Sequence, residues 1–81
     1  MDHNDVTLFT HSQCPDSPKV RDWLIQHGIE FRERALDDED DPDAVAALQA
    51  TGAFVTPLLL AGDDRLIGYR EHRLRALFNI D

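Results

Sequence analysis

Residues 6–17 read VTLFTHSQCPDS, an apolar run, a polar loop and the only cysteine of the chain, Cys14. The run Val6–Thr10 is typical of a buried parallel strand. A segment with helical spacing begins near Ser17, so Cys14 is expected at a strand-to-helix turn. The free N–H groups and the positive dipole end of a helix favour an anion there. Because the thiolate is the reactive form of cysteine, the stretch predicts a nucleophilic thiol.

The segment after this turn predicts a helix and then a second strand. Four residues at i, i+3, i+4 and i+7 share one helical face: Val20, Trp23, Leu24 and His27. Gly28 follows at the position where helices commonly end. Pro18 lacks an N–H, which favours Ser17 as the N-cap and Pro18 as the first helical residue. The alternation of apolar Ile29 and Phe31 with charged residues over 29–32 predicts the strand.

The stretch 37–43 is the most acidic of the chain. It lacks the Gly and Glu of a calcium-binding EF-hand loop, so a solvated loop is expected. Asp41 before Pro42 resembles an N-cap followed by proline at the first helical position. Val45 and Leu48 then supply the apolar positions of a second helix.

The last third predicts a hairpin and a helix. Residues 57–61 (PLLLA) are apolar on both faces, as expected of a central strand with proline at its start. A turn at 62–64 leads to a return strand at 65–67, so the two strands pair antiparallel. A final helix is expected from the spacing of Arg70, Leu74, Leu77 and Phe78. The element order is therefore βαβ, then α, then ββα, which predicts an α/β fold with a four-stranded mixed sheet and helices on both faces.

Length and charge restrict the classes of function. With 81 residues the chain forms one small domain, 1–81. Its formal charge of −8 argues against binding to nucleic acid or to anionic membrane surfaces. One cysteine cannot form an internal disulfide, and the start Met1–Asp5 has no signal-peptide pattern. A cytoplasmic, monomeric protein is the expectation.

Three short motifs occur along the chain at a defined spacing. The first is Cys14-Pro15-x-Ser17 after the first strand. The second is Thr51-Gly52 followed by Thr56-Pro57. The third is Gly68-Tyr69 before the last helix. Together they resemble the glutaredoxin family, which has a thioredoxin-like fold, and the second is similar to the family's segment with a cis-proline beside the thiol. Within the family, the pattern is closest to the NrdH-type redoxins, although those have two cysteines and this chain has one.

The resemblance implies a thiol–disulfide oxidoreductase of the monothiol C-P-x-S type. Cys14 would be the nucleophile, and Ser17 would donate a hydrogen bond to its thiolate. Substrate contacts are expected from seven residues by family position: His11, Pro15, Thr56, Pro57, Gly68, Tyr69 and Arg70. His11 has two interpretations: it is either a surface loop residue or an ion-pair partner of the thiolate.

The implied substrate is a glutathione mixed disulfide on a protein or a small thiol, with glutathione as co-substrate. The family's Asp pair that holds glutathione is replaced by Glu71 and His72, so weak noncovalent binding is expected. Two alternatives remain open. One is a homodimer that carries a [2Fe–2S] cluster between two Cys14 thiolates and two glutathiones. The other is an interaction module without catalysis. A metal site within one chain is not expected.

Overall fold

In the computed structural model, which describes residues 5–80, a four-stranded sheet is covered by three helices. The ends of the expected domain 1–81 lie outside the described residues. The elements in chain order are β1 (Val6–Thr10), α1 (Ser17–Gln26), β2 (Arg32–Ala35), α2 (Ala44–Ala50), β3 (Leu58–Ala61), β4 (Asp64–Ile67) and α3 (Glu71–Leu77).

The sheet has the order β2-β1-β3-β4. β1 pairs with β2 in parallel and with β3 antiparallel, and β4 pairs antiparallel with β3. Gly62 (φ 60°) and Asp63 form the turn between β3 and β4, where the left-handed conformation favours glycine. The predicted mixed sheet and hairpin are confirmed.

Side-chain alternation along the central strands builds a core on each face of the sheet. Leu8 and Leu59 point to the face covered by α1 and α3, where they pack with Leu24 and Leu74. The neighbouring residues on the same strands point to the other face. There the core under α2 contains Phe9, Leu48, Ala53 and Leu58. The sequence-predicted placement of helices on both faces is confirmed.

The second strand begins later than the sequence predicts. Gly28 (φ 68°) ends α1, and its N–H donates to the Ile25 carbonyl at 3.1 Å. The N–H of Ile29 donates to the Leu24 carbonyl at 2.9 Å, which completes a Schellman cap. Because the Ile29 N–H is hydrogen-bonded to the end of α1, it is not available for pairing in the sheet. Pairing with β1 starts at Arg32, so the predicted strand at 29–32 was wrong in its position.

The start of α1 also differs from its prediction. Asp16 is the N-cap, Ser17 is the first helical residue and Pro18 the second. The Ser17 hydroxyl does not cap the helix because it accepts the backbone N–H of His11 at 3.3 Å. Pro18 fits the first turn, where its missing N–H leaves no helical hydrogen bond unmade.

The start of α2 is two residues later than predicted. Asp43, not Asp41, is the N-cap. The carboxylate of Asp41 binds Arg34 instead, with N–O distances of 3.0 and 2.7 Å. The predicted apolar position of Val45 is 43% exposed, and Ala44 takes its place in the core.

The last helix is slightly shorter than its predicted apolar pattern. Arg70 is its N-cap and Phe78 its C-cap, while Leu74 is fully buried. Trp23 is buried as expected and stacks on His27 with ring centroids 4.1 Å apart. Within residues 5–80 no helix is long and apolar enough to cross a membrane.

Candidate active site at the thiol turn

Cys14 lies in the turn between β1 and α1 and is partly exposed. Its backbone N–H donates to the His11 carbonyl at 3.0 Å, and its carbonyl accepts the N–H of Ser17 at 3.2 Å. These two bonds fold the turn onto the start of the helix. The thiol is therefore held where the sequence predicts it.

The segment before β3 forms the other side of the site. The bond between Thr56 and Pro57 is cis, as the resemblance implies. The Cys14 sulfur lies 3.3 Å from the Thr56 carbonyl oxygen, to which the thiol can donate. The N–H of Gly68 donates to the Pro57 carbonyl at 2.9 Å, which ties the end of β4 to the same segment. Two of the predicted site segments thus meet at the thiol, and the third is hydrogen-bonded to one of them.

The surroundings of the sulfur favour its ionised form. Burial raises the pKa of the Cys14 thiol, but hydrogen bonds outweigh this effect and lower the pKa below its ordinary value. The donors are the hydroxyls of Ser17 and Thr56 and the backbone N–H groups of Asp16 and Ser17. Because the Ser17 oxygen already accepts the His11 N–H, its own hydrogen is available to the sulfur.

Four of the residues predicted to contact substrate differ in their exposure and in their contacts. The ring of His11 accepts the Gln13 N–H at 3.0 Å and is not among the groups that lower the Cys14 pKa. Pro15 is exposed beside the thiol, whereas Pro57 is fully buried. Tyr69 packs against the core between α1 and α3. Thr56 is half-buried and its carbonyl lies next to the sulfur, whereas the Pro57 ring is turned into the core.

Two cations near the turn are engaged by carboxylates. Lys19 lies 3.5 Å from Asp16, and Arg21 lies 3.3 Å from Glu33. The side chain of Arg70 is exposed at the start of α3. Among residues 5–80 no ion pair includes Arg70, whereas Lys19 and Arg21 are each paired.

Sequence reasoning missed two pairs of residues at this edge. Ser12 binds Asp37 through both its N–H, at 3.3 Å, and its hydroxyl. Phe54 and Val55, which precede Thr56, are 73% and 48% exposed. No local pattern shows the Ser12–Asp37 contact because 25 residues separate the partners. The exposed Phe54 could have been suspected, since it lies outside every predicted element.

A cavity of about 340 Å³ lies behind the thiol turn, lined in part by Ser12, Ser17, Arg21, Glu33 and Asp37. Thr10 donates to Glu33 at 2.8 Å on the same side. A larger cavity of about 600 Å³ lies between β4 and α3, away from these residues. In the described part of the chain no group of three or more potential ligands could hold a metal ion.

Comparisons with known proteins agree with this geometry. Residues 6–65 match the family model for glutaredoxin. The glutaredoxin-like protein NrdH of Lactococcus lactis subsp. cremoris is 28% identical over 72 residues, which cover 89% of this chain and 97% of that protein.

Two solved structures have the same fold. The NrdH-redoxin from Escherichia coli, described as having a thioredoxin-like activity profile, superposes with a TM-score of 0.74 at 26% identity. The match covers 90% of this chain and 93% of that one. The buckwheat glutaredoxin in complex with glutathione has a TM-score of 0.67 at 25% identity, with 96% of this chain and 73% of that one covered.

The matched residues include β1, the thiol turn, the cis-proline segment and β3. The chain therefore has a thioredoxin-like fold and belongs to the glutaredoxin family.

Proposed function

We propose that this protein is a monothiol thiol–disulfide oxidoreductase that acts on glutathione mixed disulfides through Cys14. One observation carries the proposal. The single thiol is partly exposed, receives hydrogen bonds that lower its pKa and lies 3.3 Å from the backbone of Thr56. An exposed cysteine of lowered pKa is the expected nucleophile for disulfide exchange.

In the first step the Cys14 thiolate attacks the glutathione sulfur of a mixed disulfide. A bond forms between these two sulfurs, and the bond to the substrate sulfur breaks. The substrate leaves as a thiolate and takes a proton from water. The electron pair of the broken S–S bond leaves with the substrate sulfur, which becomes a thiol, and the Cys14 sulfur becomes part of the new disulfide in exchange.

In the second step a free glutathione thiolate attacks the glutathione sulfur bound to Cys14. Oxidised glutathione leaves, and the Cys14 thiolate is restored. An external thiol is needed because the chain has no second cysteine to resolve the adduct.

The Thr56 carbonyl is expected to change its hydrogen-bond donor during this reaction. It accepts the S–H of Cys14 while the thiol is protonated. Once the thiol ionises, this carbonyl has no donor from the sulfur and can accept a backbone N–H of the substrate. Exposed Phe54 and Val55 offer apolar contact to the protein that carries the mixed disulfide.

Glutathione itself is expected to bind weakly without the covalent bond. It is anionic, the protein carries −8, and both Lys19 and Arg21 are already paired. Arg70 is left to bind a glutathione carboxylate. Turnover with glutathione is therefore expected to rise with moderate salt, because salt screens the long-range repulsion.

The experiment is mass spectrometry of the intact protein after incubation with oxidised glutathione. We expect one glutathionyl group on the wild-type protein and none on Cys14→Ser. Adding reduced glutathione should remove the group. A wild-type thiol that takes up no glutathione and reacts with no small disulfide would overturn the proposal.

A second arm tests the reductant. The glutathionylated protein is mixed either with glutathione and its reductase or with thioredoxin reductase, and NADPH consumption is followed. We expect recycling with glutathione only. Recycling with thioredoxin reductase alone would assign the protein to the activity profile described for the E. coli relative.

A further inference from the structure

The loop before the thiol is held from the side of β2 by a carboxylate. Asp37 accepts both the N–H and the hydroxyl of Ser12. The two meet because β1 and β2 are parallel and end at the same edge of the sheet. The N–H of Leu36 donates to the Thr10 carbonyl at 2.8 Å, which continues the pairing beyond β2 up to Asp37.

The neighbouring backbone group connects this loop to the thiol. The N–H of His11 donates to the Ser17 hydroxyl oxygen at 3.3 Å, and the His11 carbonyl accepts the N–H of Cys14 at 3.0 Å. The first bond leaves the hydrogen of the Ser17 hydroxyl to the sulfur. The His11 backbone therefore contacts both the Ser17 hydroxyl and the Cys14 backbone.

We propose that Asp37 is a positioning residue for Cys14: by fixing Ser12 it holds His11, which orients the Ser17 hydroxyl toward the sulfur. The inference rests on the proposed role of Cys14 as the nucleophile. Asp37 does not touch the thiol; it acts through three consecutive contacts.

Two effects of Asp37 on the thiol have opposite signs, which makes the proposal testable. Its negative charge alone disfavours a nearby thiolate and so raises the thiol pKa. Its hydrogen bonds to Ser12 fix the loop, which keeps the Ser17 hydroxyl directed at the sulfur and so lowers the thiol pKa. Hydrogen bonds from Ser12 lower the pKa of the Asp37 carboxyl, although burial opposes them, so the carboxylate is charged wherever the thiol titrates.

The experiment compares Asp37→Ala with Glu39→Ala. Both remove one negative charge from the same acidic stretch, and Glu39 is exposed. The thiol is titrated by its far-ultraviolet thiolate absorbance, and its rate with a small uncharged disulfide is measured at neutral pH. In Asp37→Ala we expect a higher Cys14 pKa and a rate lower by about threefold, because fewer molecules carry the thiolate.

In Glu39→Ala the pKa should stay the same or fall. The proposal is overturned if Asp37→Ala lowers the Cys14 pKa or leaves it equal to that of Glu39→Ala, because Asp37 would then act by its charge alone. Failure of the proposed function looks different, since the wild-type protein would then react with no disulfide at all.

A double-mutant cycle with Ser12→Ala tests the route. Ser12→Ala should raise the thiol pKa in the same direction, and the double variant should add little to Asp37→Ala. Asp37→Asn, which keeps an acceptor for the Ser12 N–H, should restore part of the wild-type rate. Full additivity of the two single effects would show that Asp37 does not act through Ser12.

Discussion

Two helix starts in this protein have similar sequences and different uses. α1 and α2 each begin just after a proline-containing turn with an Asp N-cap whose side chain makes no cap hydrogen bond. At α1 the hydrogen-bond donors converge on the sulfur of Cys14. At α2 the nearby carboxylate of Asp41 instead binds Arg34, whose guanidinium lies 6.0 Å from the ring centre of Phe9.

The difference shows that the same local sequence, a proline-containing turn before a helix, can support a reactive thiol or stabilise a loop. At α1 the loop brings the only thiol of the chain to the free N–H groups of the helix. At α2 the acidic loop is closed against β2 by a two-bond Arg–carboxylate pair, a geometry that holds a loop in place. Each of the four predictions concerns one of the two helix starts.

The largest change is expected from Ser17→Cys, which adds a second sulfur at the start of α1. The new thiol would lie where the Ser17 hydroxyl now contacts Cys14, so the two cysteines should form a disulfide. We expect a gain of dithiol activity, measured as reduction of insulin, where the wild-type protein has almost none. Ser17→Ala is the control without a sulfur. A Ser17→Cys protein that stays a free dithiol under oxidant would contradict the geometry of this turn.

Ser17→Ala should have the next largest effect. It removes one hydroxyl donor to the thiolate and leaves the His11 N–H without its acceptor. The Cys14 pKa should rise, and the exchange rate at neutral pH should fall several-fold. The pKa is measured by titrating the thiolate absorbance, and the exchange rate is measured with oxidised glutathione. An unchanged pKa would mean that the Thr56 hydroxyl and the backbone N–H groups stabilise the thiolate without help from the Ser17 hydroxyl.

Asp41→Asn should change stability and leave the thiol unaffected. The two Arg34–Asp41 hydrogen bonds join β2 to the loop before α2, so their weakening should lower the thermal midpoint by a few degrees. Thermal unfolding followed by circular dichroism measures this. Asp43→Asn, at the N-cap that makes no side-chain bond, is the matched control. A slower reaction of Cys14 in Asp41→Asn would show that the two helix starts are coupled.

The smallest effect is expected in the pH dependence of the stability that the Arg34–Asp41 pair contributes. The hydrogen bonds from Arg34 lower the pKa of the Asp41 carboxyl, while burial opposes them. A group whose pKa is lower in the folded state stabilises the protein above its unfolded pKa, about 3.9 for Asp. This stabilisation is lost as the pH falls through the folded pKa. The difference in thermal midpoint between wild type and Asp41→Asn should therefore shrink below about pH 4; a constant difference would contradict it.

The two helix starts also show where sequence reasoning fails. It places the N-cap of α1 at Ser17 and that of α2 at Asp41, and both are wrong. In each case the expected capping oxygen is used elsewhere, by the His11 N–H and by Arg34. Cap preferences describe what a side chain does locally. They do not include a competing donor on another element.

The same reason explains the late start of β2 and the unforeseen role of Asp37. Apolar alternation at 29–32 is present, but the N–H of Ile29 completes the helix cap and cannot join the sheet. The acidic stretch looks like a solvated loop, yet Asp37 at one end binds Ser12. The Asp37 contact depends on the pairing of β1 with β2, which local spacing does not contain.

The sequence by itself determined the order of the elements, the mixed sheet, the buried face of α1 and the place of the only thiol. Those features follow from the period of apolar residues and from the positions of glycine and proline, which act within one element. Only the tertiary structure decided the exact helix starts, the hydrogen bonds of Ser17 and the contact of Asp37 with Ser12. The Asp37–Ser12 contact depends on the pairing of β1 and β2. The helix starts depend on which donors reach the Ser17 and Asp41 oxygens, because polar groups take the partners that the folded chain brings near them.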